Sequence, residues 1–205
     1  MKKILTTLFI LALLTTSTNI ATAKSAQSDI KLPDPIKSGG MPIMDAFANR
    51  HTSIKFAKEE IPQQILSNLL WAADGINRPD GKRTAPSALN TQNITIYVAT
   101  DDTIYKFDPQ TNTLISLARD NLSLITGVKA PITLIYVAKL GLQSKHLATV
   151  DCGFIAQNVY LFSAANNLNT MFMYGVNSSA LNYKLNLSLG EEVLFAQPVG
   201  YPPIK

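Results

Sequence analysis

Two polar segments of this chain carry residue types suited to binding an anion or a heterocycle. The first is Arg50-His51-Thr52-Ser53, in which a rigid fork of arginine donors suits a phosphate and two hydroxyl groups follow. Adjacent backbone N–H groups can complete an anion site in such a loop. An ordinary solvated helix end is the alternative interpretation, and these four residues taken alone favour it.

The second segment lies within residues 71–92, WAADGINRPDGKRTAPSALNTQ. A glycine-containing turn leads into the cations Lys82 and Arg83, and small residues follow at 84–88. Small side chains let the backbone approach a flat ring closely, while Asn90 and Gln92 offer donors and acceptors for the edge of a heterocycle. A long surface loop with an exposed basic tip is the alternative.

Composition excludes several classes of function. The formal net charge is +4 and the lysines and arginines form no run, so nucleic acid is not an expected partner. A single cysteine, Cys152, excludes an intrachain disulfide framework. With only two histidines in addition, the sequence predicts no zinc site.

The first 23 residues have the pattern of a signal peptide. A basic start precedes the apolar run Ile4 to Leu14, and Ala21-Thr22-Ala23 supplies the small-x-small cleavage pattern. The apolar run is shorter than the about 20 residues of a membrane-spanning helix, so no stable membrane anchor is expected. We predict cleavage after Ala23 and export to the periplasm or the medium, with an uncleaved N-terminal anchor as the alternative.

Residues 24–40 are predicted to form a flexible N-terminal arm, because Pro33 and Pro35 block a helix and Gly39 and Gly40 end the segment. The domain proper is predicted to span residues 41–205. Its first helix begins at Pro42 and ends near Arg50, and its second runs from Pro62 to Gly75.

Strands are predicted next, at residues 94–99, 104–107, 114–115 and 131–138. The first of these alternates apolar and polar residues, which predicts a half-buried strand. The last is apolar throughout, as expected of a central strand buried on both faces. A helix from Thr149 is apolar on nearly all sides, which indicates a core or an interface. A short strand at 171–174, a helix capped by Ser178 or Ser179 and a strand at 193–199 complete one α+β domain.

Five separated motifs, in the right order from about Met44 to Pro202, resemble the nitroreductase family. Residues 50–56, RHTSIKF, resemble its N-terminal flavin motif, and residues 86–92, PSALNTQ, resemble its second flavin-contacting segment. Residues 70–79, 151–158 and 200–202 are similar to a short branch of the family related to the azoline-dehydrogenase type.

The resemblance implies a nitroreductase-like α+β fold, with a central mixed or antiparallel sheet flanked by helices. It also implies an intertwined homodimer that binds FMN at its interface and acts on a small molecule. The implied cofactor contacts are Arg50, His51 and Thr52 at the phosphate or ribityl chain, Pro86, Ser87, Ala88 and Asn90 of the other subunit at the isoalloxazine ring, and Gly175 near N5. No protein residue is assigned as catalytic.

Three features depart from the family's pattern. Many relatives carry a cation at the position of Ile54, where it stabilises the reduced flavin; Lys55, Lys82 and Arg83 are the candidate substitutes. Only Lys205 remains of the basic residues that relatives place after the last strand. Export also separates the enzyme from NAD(P)H, the usual reductant.

The leading hypothesis is an exported FMN-dependent oxidoreductase with an unknown small-molecule acceptor. The alternative is a non-catalytic flavin-binding or small-ligand-binding protein that retains the fold. A third possibility, azoline oxidation on a peptide, rests on the branch similarity alone.

Overall fold

The structure, a computed structural model, describes residues 28–118 and 127–204. The predicted signal peptide lies outside these residues. Within them, one sheet has seven strands in the order β1-β4-β3-β2-β5-β7-β6, and every pairing is antiparallel. The strands are β1 (Ile30–Lys31), β2 (Ile94–Ala99), β3 (Ile104–Asp108), β4 (Thr113–Ala118), β5 (Ile132–Lys139), β6 (Asn169–Thr170) and β7 (Glu191–Gly200). The predicted α+β class is confirmed.

The helices of the described residues are α1 (Ile43–Asn49), α2 (Gln63–Asp74), α3 (Lys145–Ala165) and α4 (Ser178–Lys184). Short 3-10 turns occupy Ala88–Asn90 and Leu140–Leu142. None of the described helices is long and apolar enough to cross a membrane.

The centre of the sheet is buried on both faces. Leu134 and Tyr136 of β5 belong to the main core, whereas Ile135 and Val137 pack on the opposite face. The prediction of a half-buried β2 is wrong, because Tyr97 is only 4% exposed. The reason is a second apolar cluster on that face, to which α4 and the residue after it contribute Leu181 and Leu185.

Helix α2 ends where the sequence predicts, at Gly75, but for a steric reason. The φ angle of Gly75 is −77°, so left-handed backbone is not the requirement. A Cβ atom at this position would lie 2.6 Å from Cα of Trp71 and 2.7 Å from its carbonyl oxygen. Trp71 itself is half-buried and donates from its indole N–H to the carbonyl of Ile76 at 3.1 Å.

Helix α3 begins four residues before the predicted Thr149, because Ser144 caps it by accepting from the backbone N–H of Leu147. One side of α3 enters the main core. Another side leaves apolar residues at i, i+3 and i+7 partly exposed, with Leu147 at 36% and Val150 and Phe154 at 43% each. An exposed apolar stripe explains the near-uniform apolar character of the sequence here.

The segment predicted to be a flexible arm is folded onto the domain over residues 30–36. Strand β1 pairs with β4, and Leu32 is 2% exposed. The carbonyl of Pro33 accepts from Ser67 Oγ at 2.5 Å and from Asn112 Nδ2 at 2.8 Å. These contacts satisfy the backbone of a proline-rich segment that cannot form a helix.

Two further predictions after α3 are corrected. Residues 171–174 are not a strand; β6 is Asn169–Thr170, and beyond it Met173 makes one isolated bridge to Ala196. Helix α4 is capped by Asn177, whose Oδ1 accepts from Ala180 N at 3.0 Å, and not by either serine.

Candidate functional site

The first polar segment is fixed against β6. His51 Nε2 lies 3.1 Å from Oδ1 of Asn169, and Ser53 N donates to the carbonyl of Thr170 at 3.1 Å. The Asn169 amide also donates to the carbonyl of Lys55 at 2.7 Å and to Ser53 Oγ at 3.0 Å. The buried Asn169 therefore holds this loop at three points and determines its path.

Tyr160 on α3 contacts Arg50 and Thr52, the two side chains best suited to binding an anion. The guanidinium of Arg50 lies 5.4 Å from the centroid of the Tyr160 ring, and no carboxylate among the described residues lies within 4 Å of it. Tyr160 Oη accepts from Phe172 N at 2.9 Å and lies 3.1 Å from Thr52 Oγ1. When Tyr160 donates to Thr52, the Thr52 hydroxyl hydrogen is left for a ligand.

Gly175 lies on the segment that follows β6, shortly after Phe172 and Met173. Phe172 on this segment bonds to Tyr160, and Met173 bridges to β7. Gly175 is exposed, and a Cβ atom built there meets nothing within 4 Å. The described part of the chain therefore leaves open space around Gly175.

A cavity of about 580 Å³ adjoins the first segment, which is within the usual size of small-molecule sites. Its lining includes Ile54 and Lys55, which directly follow the first segment, and Met171 from the segment after β6. Lys129 and Pro203 also line it. The cavity is therefore apolar in part and has two cations at its wall.

The second polar segment has a strained backbone. Leu89, Asn90 and Gln92 have φ angles of 53°, 55° and 47°, in the left-handed region that bulky side chains avoid. Leu89 is 90% exposed, so burial of its side chain within the protomer does not offset the strain. Strain of this kind is concentrated at functional sites.

This second segment is attached to α3 as well, at a different point. Asp151 Oδ1 accepts from Ala88 N at 3.0 Å, and Ser87 Oγ accepts from Gln92 N at 3.0 Å. Asp151 and Tyr160 are nine residues apart on α3, or about 13 Å at 1.5 Å per residue. Arg50 and Thr52 thus meet α3 at Tyr160, and Ala88 meets it at Asp151. His51 lies beside Asn169 of β6, and Pro86, Ser87 and Asn90 are close neighbours of Ala88 along the chain. Gly175 lies three residues after Phe172, whose backbone N–H donates to Tyr160.

Both cations of the basic tip have carboxylate partners within the protomer. Arg83 Nη1 forms an ion pair with Asp74 Oδ2 at 2.8 Å, and Arg83 Nε donates to Gln92 Oε1 at 3.2 Å. Lys82 pairs with Asp80 at 2.8 Å on the surface. Of the three candidates, only Lys55 lines the cavity beside Ile54.

The Asp74–Arg83 pair is largely buried, with side-chain exposures of 9% and 15%. Burial raises the pKa of Asp74 to about 7, and the charge and hydrogen bond of Arg83 oppose this rise. The ion pair with Arg83 favours the ionised form of Asp74, whereas burial favours the neutral form. Burial has the larger effect on the pKa, because the carboxylate has few hydrogen-bond donors besides Arg83. The pair ties the end of α2 to the second segment through Gln92.

Sequence reasoning misses Asp151, Tyr160 and Asn169 as residues that build the site. Asp151 lies in the second turn of α3 and is 1% exposed. An acidic residue in a largely apolar helix is the available signal.

Cys152 is a buried core residue, and burial raises the pKa of its thiol. The described residues contain no group of three or more His, Cys, Asp or Glu residues placed to hold a metal.

Comparisons with known proteins agree with this geometry. A family model described as the nitroreductase family matches residues 47–201. A provisionally assigned nitroreductase of Methanocaldococcus jannaschii is 25% identical over 194 residues, which cover 84% of this chain and 96% of the relative.

Among solved structures, a provisionally assigned nitroreductase from Ralstonia eutropha matches with a TM-score of 0.84 and 30% identity, covering 88% of this chain and 92% of that one. The E. coli microcin synthetase McbBCD complex shares the fold at 15% identity, with a TM-score of 0.68 and coverages of 96% and 85%. The chain belongs to the nitroreductase family and is an oxidoreductase of the flavin-dependent type.

Proposed function

We propose that this protein is an exported, FMN-dependent oxidoreductase that works as a homodimer and reduces or oxidises a small molecule. The observation that carries the proposal is Arg50, a half-buried arginine without a carboxylate partner among the described residues, placed beside the Thr52 hydroxyl. A phosphate satisfies both groups, because it offers the anionic oxygens that a guanidinium fork and a hydroxyl bind.

The residues present fit FMN in three respects. Arg50 and Thr52 supply donors for the phosphate, and His51 stands beside them. The partly apolar cavity lined by Ile54 and Met171 supplies a surface for a planar ring. The exposed backbone at Gly175 allows close approach to one edge of that ring.

FMN, when bound, supplies the redox chemistry by accepting hydride or electrons and passing them on. The chain itself binds, orients and shields. Arg50 neutralises the phosphate, and Tyr160 directs the Thr52 hydroxyl towards it. The small residues Pro86, Ser87 and Ala88 would supply a second wall, which shields the ring from water.

Two observations support the homodimer. The exposed apolar stripe of α3 (Leu147, Val150 and Phe154) is typical of a buried interface. The two halves of the candidate site lie about 13 Å apart on the same helix. A two-fold axis across α3 brings the first half of one protomer to the second half of its partner, and by symmetry the reverse. Two complete sites result.

Export rests on the pattern of residues 1–23. In that location the acceptor and the electron donor are small molecules or carriers outside the cytoplasm. We therefore propose that the physiological donor is not NAD(P)H, although an artificial donor can replace it in an assay.

Titration of the mature chain, residues 24–205, with FMN and with riboflavin tests the proposal. We expect micromolar or tighter FMN binding, seen as a perturbed flavin absorption band. Arg50→Gln should weaken FMN binding at least tenfold and leave riboflavin binding nearly unchanged, because riboflavin has no phosphate. Arg78→Gln, at an exposed arginine, is the matched control.

A folded protein that binds no FMN at micromolar concentration contradicts the proposal. Bound flavin that neither a nicotinamide, a quinol nor an artificial donor reduces favours instead the non-catalytic binding protein. Phe154→Arg tests the dimer: we expect a monomer in sedimentation that has also lost FMN. A dimer that persists in this variant refutes the assigned interface.

A further inference from the structure

We infer that Asp151 is a positioning residue, whose buried carboxylate holds the backbone of Ala88 and so fixes the ring-facing shape of residues 86–92. The inference rests on the proposed function, because it assigns a role towards the flavin. Asp151 does not itself face the ligand; it acts through Ala88.

The surroundings of Asp151 are unusual for a carboxylate. The residue is 1% exposed, and no cation among the described residues lies within 4 Å of it. Oδ1 accepts from Ala88 N at 3.0 Å, and Oδ2 accepts from Gln143 Nε2 at 2.8 Å. Gln143 Nε2 in turn donates to Asn93 Oδ1 at 2.7 Å. Ala88 N and Gln143 Nε2 are therefore the identified hydrogen-bond donors to this buried carboxyl group.

A buried carboxylate without a cation does not add to stability as an apolar side chain of the same size does. Its presence on an apolar helix face therefore points to a requirement other than packing. The contact with Ala88 N is that requirement, because the backbone of the second segment has no strand partner to fix it. A short carboxylate on a rigid helix is a precise acceptor for one backbone N–H group.

The backbone that Asp151 holds is also the strained one. Leu89 and Asn90, the next two residues, have left-handed φ angles, and so does Gln92. Within the segment, Ser87 Oγ accepts from Gln92 N and Thr91 Oγ1 donates to the carbonyl of Ala88 at 3.1 Å. These bonds close the turn on itself, whereas Asp151 attaches it to α3. Without that attachment, Ala88 and its neighbours can move away from the ring, although the Gln92 side chain stays hydrogen-bonded to Arg83 and to the carbonyl of Gly81.

Two substitutions at this position separate its effects. Asp151→Asn keeps one carbonyl oxygen for Ala88 N but turns the second oxygen into an amide donor that faces Gln143 Nε2. Flipping the Gln143 amide does not repair this contact, because it places Gln143 Oε1 against Asn93 Oδ1. The variant therefore keeps the Ala88 bond and loses the Gln143 bond. Asp151→Ala removes the acceptor altogether. Ala88→Pro deletes the donor instead, without altering α3, and Ser87 before it is already extended, as a residue preceding proline must be.

The control is Asn158→Ala on the same helix. Asn158 Nδ2 donates to the carbonyl of Ala73 at 3.2 Å and so attaches α3 to α2. Among the described residues, it has no hydrogen bond to residues 86–92. We expect this variant to lower stability but to leave bound flavin unchanged.

The experiment uses the full mature chain and measures the FMN dissociation constant, the visible circular dichroism of bound FMN and the thermal unfolding of the flavin-free protein. We expect Asp151→Ala and Ala88→Pro to weaken FMN binding about tenfold or more and to alter the dichroism band, whereas Asp151→Asn stays within about threefold of the wild type. Unfolding temperature alone does not distinguish positioning from a structural role, but the dichroism of the bound flavin does.

Wild-type protein that binds FMN, together with Asp151→Ala or Ala88→Pro variants that bind it with unchanged affinity and dichroism, overturns the positioning role and leaves the proposed function intact. If Asp151→Ala does not fold, Ala88→Pro alone decides. Wild-type protein that folds but binds no flavin overturns the proposed function, and the inference falls with it.

Discussion

Replacing Arg83 by leucine should destabilise the protein by an amount that grows with pH above neutrality. The substitution removes the cation 2.8 Å from Asp74 and leaves that carboxylate in a site where its side chain is 9% exposed. Leucine fills much of the volume of the arginine stem, so the lost charge dominates the effect. Breaking a buried ion pair from one side is among the most damaging single changes.

The sign follows from the pKa of Asp74. Burial raises this pKa to about 7 in the folded protein, against about 3.9 in the unfolded chain. Because the folded pKa is the higher one, the contribution of Asp74 to stability is fully present below about pH 4 and is lost as pH rises towards 7. The loss is at most about 1.4 kcal/mol per pH unit.

In the wild type this loss ends above pH 7, where Asp74 is ionised beside Arg83. Without Arg83 the folded pKa of Asp74 rises further, because the charge and hydrogen bond that lower it are gone. The variant therefore continues to lose stability above pH 7. Two pH units at about 1.4 kcal/mol each give an added deficit of up to about 3 kcal/mol at pH 9.

Urea denaturation of the flavin-free mature chain at pH 5, 7 and 9 measures this deficit. Arg83→Leu should differ from the wild type least at pH 5 and most at pH 9. Asp74→Asn combined with Arg83→Leu should abolish the pH-dependent part. Lys82→Leu is the control, since its partner Asp80 is exposed and little change is expected at any pH. A deficit in Arg83→Leu that is constant from pH 5 to 9 refutes the reasoning.

Three further outcomes are expected. Gly75→Ala should lower the free energy of unfolding by about 3 kcal/mol, because its Cβ would lie under 3 Å from backbone atoms of Trp71. Gly141→Ala is the control, since a Cβ atom there meets nothing within 4 Å, and equal urea midpoints for the two variants would refute the clash. Ile54→Lys should raise the reduction potential of bound flavin, because a cation at this position stabilises the reduced form. A spectroelectrochemical titration measures the potential, and an unchanged value would mean that the flavin ring does not lie beside residue 54. Tyr160→Phe should lower stability by about 1 kcal/mol and weaken FMN binding more than riboflavin binding, because Thr52 loses its hydroxyl partner.

The sequence predicts best the elements whose ends are set by local chemistry. Proline and glycine fix both ends of α2, and a turn at residues 100–103, in which Thr100 N donates to the carbonyl of Thr103, joins the predicted β2 and β3. Prediction fails where the outcome depends on a distant neighbour. Residues 171–174 are apolar enough for a strand, but only Met173 meets β7 in register.

The candidate site shows the same division. The resemblance to the nitroreductase family, rather than the residue types alone, indicates Arg50, Thr52 and Gly175 as ligand contacts. The structure places Arg50 and Thr52 beside Tyr160 on α3. Their supports are invisible to such reasoning, because Asp151 contacts a residue 63 positions away and Asn169 one 116 away. The commitment of Arg83 to Asp74 likewise depends on burial, which no local pattern reveals.

Helix α3 explains why these supports are necessary. Its core-facing side carries Cys152 and Ile155, and its exposed stripe carries Val150 and Phe154. Along its length Asp151 holds one half of the site and Tyr160 the other. In the proposed dimer, the packing of one α3 on its partner therefore sets the distance between halves that meet across the axis. A substitution in the exposed stripe should consequently change the affinity for flavin even though the substituted side chain does not contact the flavin. The size of the change should follow the effect of the substitution on the packing of the two helices.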